Sequence, residues 1–67
     1  MEIFSRVYME LKTGKKLYLV AGVGKSCKWG DKENAIWFDT EKEALDFCNG
    51  YFKNFRDFKV ESFEYSI

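Results

Sequence analysis

Two runs of alternating residues lie either side of "KTGK", and they constrain the first half of the fold. In "IFSRVYMEL", residues 3–11, Ile3, Val7, Met9 and Leu11 share one parity, while Phe4, Arg6, Tyr8 and Glu10 share the other. In "KLYLVAGV", residues 16–23, Leu17, Leu19 and Ala21 stand opposite Tyr18 and Val20. A strand sends successive side chains to opposite faces, so each run presents two different surfaces. Gly14 stands where a tight turn needs a positive φ, which a residue without Cβ adopts at no steric cost. The spacing predicts a β-hairpin, aliphatic on one face and largely aromatic on the other.

Downstream, a polar loop over 24–34 leads to the apolar run "AIWF", residues 35–38, which reads as a third strand. The helix signal is the strongest in the chain. Thr40 followed by Glu43 is a capping box, and Asp39, Glu41 and Glu43 sit at the positive end of the helix dipole. Ala44, Leu45, Cys48, Tyr51, Phe52 and Phe55 then fall on one stripe, with Phe47 at its edge and Gly50 opposite, over about four turns. In the last segment Phe58 and Val60 alternate on one parity, and Phe63, Tyr65 and Ile67 on the other. One ladder holds both sets only with a bulge near Glu61 and Ser62, or with apolar residues on both faces. The expected fold is α+β: a small antiparallel sheet, β-β-β-α-β, with one helix packed on one face and a single domain over 1–67.

With 67 residues, a chain buries roughly 60% of its unfolded surface, so its core must be dense or shared with a second copy. Aromatic residues make up 19% of this one, which favours density. The net charge is zero but unevenly spread. Residues 1–32 carry seven basic and three acidic side chains, and residues 33–67 carry four basic and eight acidic ones. Such a dipolar chain steers toward a charged partner or toward another copy of itself. Two cysteines, Cys27 and Cys48, are too few for a secreted disulfide framework, and no apolar run approaches 18 residues. A reduced cytoplasmic setting with no membrane span is the expectation.

"GVGKS" resembles the tail of a phosphate-binding loop, but its spacing is wrong. With Gly24, Lys25 and Ser26 as the tail, the first glycine belongs at position 19, where Leu19 stands. No helical periodicity follows to supply backbone N–H groups to a phosphate. The chain has no histidine and no CxxC spacing, so neither the commonest general base nor a recognisable metal site is at hand. No catalytic residue, cofactor or metal is expected.

A single helix covers one face of a four-stranded sheet. If the aliphatic parity faces that helix, Phe4, Tyr8, Tyr18 and Val20 face outward, and exposed apolar patches of that size mark interaction surfaces. The expected function is a non-enzymatic protein-binding module, including self-association as a homodimer, that occludes or bridges a larger macromolecule. Its predicted contact residues are Phe4, Tyr8, Tyr18 and Trp29. A phage or mobile-element inhibitor of a host enzyme or defence protein is its concrete form. The alternative is single-stranded nucleic acid or a phosphorylated small ligand. There, Lys25, Lys28 and Lys32 would neutralise phosphates while Trp29 stacks on a base.

Overall fold

The structure is a computed structural model that describes residues 2–24, 26–52 and 57–66. Strands β1 (Glu2–Glu10), β2 (Lys16–Ala21), β3 (Cys27–Gly30) and β4 (Lys59–Tyr65) form one antiparallel sheet in the order β3-β2-β1-β4, and helix α1 (Glu41–Tyr51) precedes β4. The β-β-β-α-β order is the one the sequence predicts. At the first turn Gly14 takes φ +90°, while Leu11 and Lys15 are joined by a 2.8 Å backbone hydrogen bond. "GVGKS" turns out to be a second hairpin turn. There Gly24 takes φ +66° and the Gly22 N–H donates to the Ser26 carbonyl at 2.9 Å.

The third strand lies elsewhere than the sequence suggests. It is "CKWG", within the expected polar loop, and it pairs Leu19 with Trp29 and Ala21 with Cys27. Four residues that include a lysine and a glycine carry no legible alternation. The pairing comes from the neighbouring strand β2, not from local propensity. The run "AIWF" instead enters a fork in the sheet. Strands β1 and β2 are paired only from Tyr8 opposite Tyr18 to Glu10 opposite Lys16, then part. In the gap the Ile36 N–H donates to the Leu19 carbonyl at 2.9 Å, and Phe38 exchanges two backbone hydrogen bonds with Ser5, at 2.7 and 2.8 Å. Both bridges are antiparallel, and no straight segment runs antiparallel to two neighbours that are antiparallel to each other. The segment therefore bends between its two bridges and cannot continue as a strand.

Strand β4 resolves its own ambiguity. Its seven pairs with β1 run without a slip from Glu2 opposite Tyr65 to Tyr8 opposite Lys59. There is no bulge, and both faces of β4 carry apolar residues: Val60 toward the helix, Phe63 and Tyr65 away from it.

Helix α1 is about three turns long, shorter than expected. The Thr40 hydroxyl accepts the Glu43 N–H at 3.1 Å, and the Phe52 N–H closes the far end on the Cys48 carbonyl at 2.8 Å. Ala44 and Cys48 are buried against Val7 and Leu19, ringed by Cys27, Trp29, Ile36, Phe38, Phe52, Phe58 and Val60. The predicted stripe is narrower in fact. Leu45, Phe47 and Tyr51 remain exposed on its flanks, and Phe55 lies outside the described residues. Tyr51 is still tied down, because its hydroxyl accepts the Cys27 N–H at 2.9 Å.

Candidate functional site: the helix-free face of the sheet

The pleat sends Phe4, Arg6, Tyr8, Tyr18, Val20, Lys28, Glu61, Phe63 and Tyr65 to the face away from α1. The bend at 35–38 adds Trp37 to them. Trp37 is central to an aromatic quartet, with ring centroids 5.2 Å from Phe4, 5.1 Å from Phe63 and 5.0 Å from Tyr65. Phe4 in turn lies 6.2 Å from Phe63 and 6.5 Å from Tyr65. These spacings and tilted angles are those that aromatic pairs prefer. Trp37 and Tyr65 are 46% and 41% exposed, so the quartet is open on its outer side.

Beside the quartet lies an ionic cluster. The Arg6 Nε donates to Glu61 Oε2 at 2.6 Å, with its guanidinium 4.2 Å from the Phe63 ring centroid and 5.3 Å from that of Tyr18. Lys16 approaches the other Glu61 oxygen at 3.8 Å and lies over the Tyr8 ring at 4.7 Å. Planar guanidinium against ring faces is a favourable electrostatic contact, stronger where water is excluded.

The predicted contact residues fall into three groups. Phe4 and Tyr8 are half-buried members of this face. Tyr18 shares the face but is only 6% exposed, packed beside Tyr8 at 5.9 Å, and its hydroxyl makes a long 3.4 Å bond to Glu61. Arg6 and its aromatic neighbours cover Tyr18, so it supports the surface and offers little contact area. Trp29 is on the opposite face, stacked on Phe52 at 5.8 Å and packed against the core.

The basic loop proposed around Trp29 does not converge. Lys28 and Trp29 are consecutive strand residues and point to opposite faces. Lys32 belongs to the 3₁₀ turn Lys32–Asn34, and Lys25 lies outside the described residues. An open groove of about 520 Å³ is lined by Val20, Ala21, Lys28, Trp29, Gly30, Asp31 and Asn34, so Lys28 and Trp29 both border it, but with one lysine and the Asp31 carboxylate.

Among the described residues, no three His, Cys, Asp or Glu side chains are grouped so as to hold a metal ion. Cys27 and Cys48 are free thiols. Burial, and then the nearby Cys27, push the Cys48 thiol up to about 11, which makes it a poor nucleophile. Among the described residues, no helix is long and apolar enough to cross a membrane.

Sequence reasoning missed Trp37 as a member of this face. Its parity against Ile36 and Phe38 held the signal, but only the fork shows which way that parity points. Comparison of the chain with protein-family models, curated proteins and solved structures gives no match.

Proposed function

We propose that this chain is a small, non-enzymatic protein-binding module that docks its helix-free sheet face onto a protein surface, blocking or bridging what it covers. One observation carries the reading: the contiguous quartet Phe4, Trp37, Phe63 and Tyr65 lies on the face away from the helix, with Trp37 and Tyr65 open to solvent. Exposed aromatic anchors flanked by an arginine are the composition that dominates protein-interface energetics.

The same face suits a nucleic-acid strand poorly. Its rings are tilted against one another and do not lie flat for stacking on bases. Arg6, Lys16 and Lys59 are each within 4.0 Å of a carboxylate of the same chain, which leaves few cations to neutralise phosphates. A reducing, cytoplasmic compartment fits this reading, since a buried free thiol at Cys48 is at home there.

The test is retention of proteins from nuclease-treated lysate on immobilised wild type, Trp37→Lys and Val23→Lys. Val23 is 93% exposed in the second hairpin turn and serves as the control. The expected result is a protein held by wild type and Val23→Lys and lost by Trp37→Lys. Equal retention by all three, or retention that is seen in untreated lysate and lost after nuclease treatment, refutes the reading.

A further inference from the structure

The sheet ends in two edges, β3 and β4, and they are finished differently. Strand β3 has four residues, and its Cys27 N–H is already taken by the Tyr51 hydroxyl at 2.9 Å. Strand β4 has seven residues and pairs with β1 without a slip. It carries neither the bulge nor the proline that commonly blunts an edge.

The far side of β1 shows which backbone groups of β4 are open. The N–H and C=O of Ser5 both bond to Phe38, at 2.8 and 2.7 Å. Ser5 and Ser62 lie opposite each other, so they exchange no backbone hydrogen bonds, and Ser62 turns its own groups outward. The alternation carries Val60 and Glu64 outward with it, whereas Lys59, Glu61, Phe63 and Tyr65 bond to β1. Among the described residues, nothing takes up the outward N–H and C=O of Val60, Ser62 and Glu64. A donor and an acceptor on each of three alternate residues is the pattern that an extended segment completes as a further strand.

Charge selects the segment. The side chains of Val60, Ser62 and Glu64 share the helix side of the sheet, where Ser62 Oγ donates to Glu41 Oε1 at 2.8 Å. The exposed carboxylates of Glu41 and Glu64 therefore both lie beside Ser62. Among the described residues, neither has a lysine or arginine within 4.0 Å. A second copy of β4 suits this edge poorly. Two-fold pairing over the whole strand sets Ser62 against Ser62 and gathers four carboxylates about the axis, which repel. A lysine or arginine opposite Ser62 meets the two carboxylates with the complementary charge.

We propose that the β4 edge captures an extended segment of a partner protein as a fifth strand, with a basic side chain opposite Ser62 on the helix side. Main-chain hydrogen bonds to Val60, Ser62 and Glu64 hold the segment, and Glu41 and Glu64 select its charge. The edge is a second contact site, and its capture of a strand does not depend on the aromatic quartet.

The experiment is amide hydrogen exchange followed by NMR on the full chain, alone and with an excess of a capped heptapeptide. One peptide alternates lysine with valine, and the other alternates glutamate with valine. In the chain alone, the amides of Val60, Ser62 and Glu64 are expected to exchange fast and those of Glu61 and Phe63 slowly. The lysine peptide is expected to slow the first three by about tenfold or more, and the glutamate peptide to leave them unchanged. N-methylation of Ser62 by chemical synthesis removes one outward donor and no bond to β1. It should leave the circular dichroism spectrum unchanged and abolish the slowing. Should that variant fail to fold, the exchange map on the unmodified chain decides alone. No slowing with the lysine peptide, or slowing confined to β3, overturns the proposal. Equal slowing by both peptides overturns the basic partner. Protection of the three amides without peptide also overturns the proposal, and if it grows with chain concentration the occupant is a second copy.

Discussion

The Arg6–Glu61 pair offers a quantitative test of how the helix-free face is held together. The two side chains are 11% and 24% exposed and meet at 2.6 Å, so they are neither a solvated surface pair nor a fully buried one. Unit charges about 4 Å apart attract by roughly 4 kcal/mol at an effective dielectric constant of about 20, and lost hydration offsets part of that. A coupling energy of about 2 kcal/mol is expected from the cycle Arg6→Met, Glu61→Leu and the double variant. The single variants should differ. Glu61→Leu leaves a mostly buried guanidinium with only ring faces for company, and should cost about 2–3 kcal/mol. Arg6→Met leaves Glu61 with Lys16 at 3.8 Å and the Tyr18 hydroxyl at 3.4 Å, and should cost about 1–2 kcal/mol. A 67-residue domain is stable by only about 3–10 kcal/mol. Even the milder variant should therefore lower the melting temperature by several degrees, about 4–8 °C per kcal/mol. Urea titrations of the four proteins at fixed chain concentration supply the cycle. A coupling below about 0.5 kcal/mol, the level of an exposed surface pair, would refute the claim that this cluster is shielded from water.

Three further outcomes follow from other parts of the structure. Gly50→Ala should stabilise by about 0.5–1 kcal/mol, since a Cβ there meets nothing within 4 Å and the helix gains a better former. Gly14→Ala should instead destabilise by about 1 kcal/mol or more, because φ +90° disfavours any residue with a Cβ; thermal melts showing the same sign for both would contradict the assigned backbone. Cys48 has its folded value raised from 9.0 to about 11. The folded state thus holds the proton more tightly than the unfolded one. That stabilisation, on the order of 2–3 kcal/mol, is complete below pH 9.0 and is lost as pH rises through about 11. Urea midpoints should fall over that window and fall less steeply in Cys48→Ala, whereas superimposable alkaline limbs would show that burial does not shift this thiol.

How far the fold was legible can be judged element by element. The first hairpin was readable because its alternation and Gly14 are local signals, and Thr40 with Glu43 announced the helix start for the same reason. Strand β3 was not, because "CKWG" owes its conformation to pairing with β2 and not to its own residues. "AIWF" has strand composition but sits where β1 and β2 part, so its backbone satisfies two strands by bending. On the site, the parity argument correctly put Phe4 and Tyr8 on the face away from the helix. It overstated Tyr18 and Val20, which are 6% and 4% exposed, since burial depends on what leans over a residue, and Arg6 and Tyr8 lean over Tyr18.

By itself, then, the sequence determined the periods: which residues alternate, where glycine turns the chain, where a helix is capped, and that one helix is too little to cover both faces. Those properties follow from backbone sterics and from hydrogen bonds between residues a few positions apart. The tertiary structure alone decided that Trp37 joins Phe4, Phe63 and Tyr65, that Trp29 faces inward onto Phe52, and that Lys28 points away from it. These depend on contacts between residues distant along the chain. The geometry of the fork and the unslipped register of β4 select among faces that the local pattern leaves equivalent.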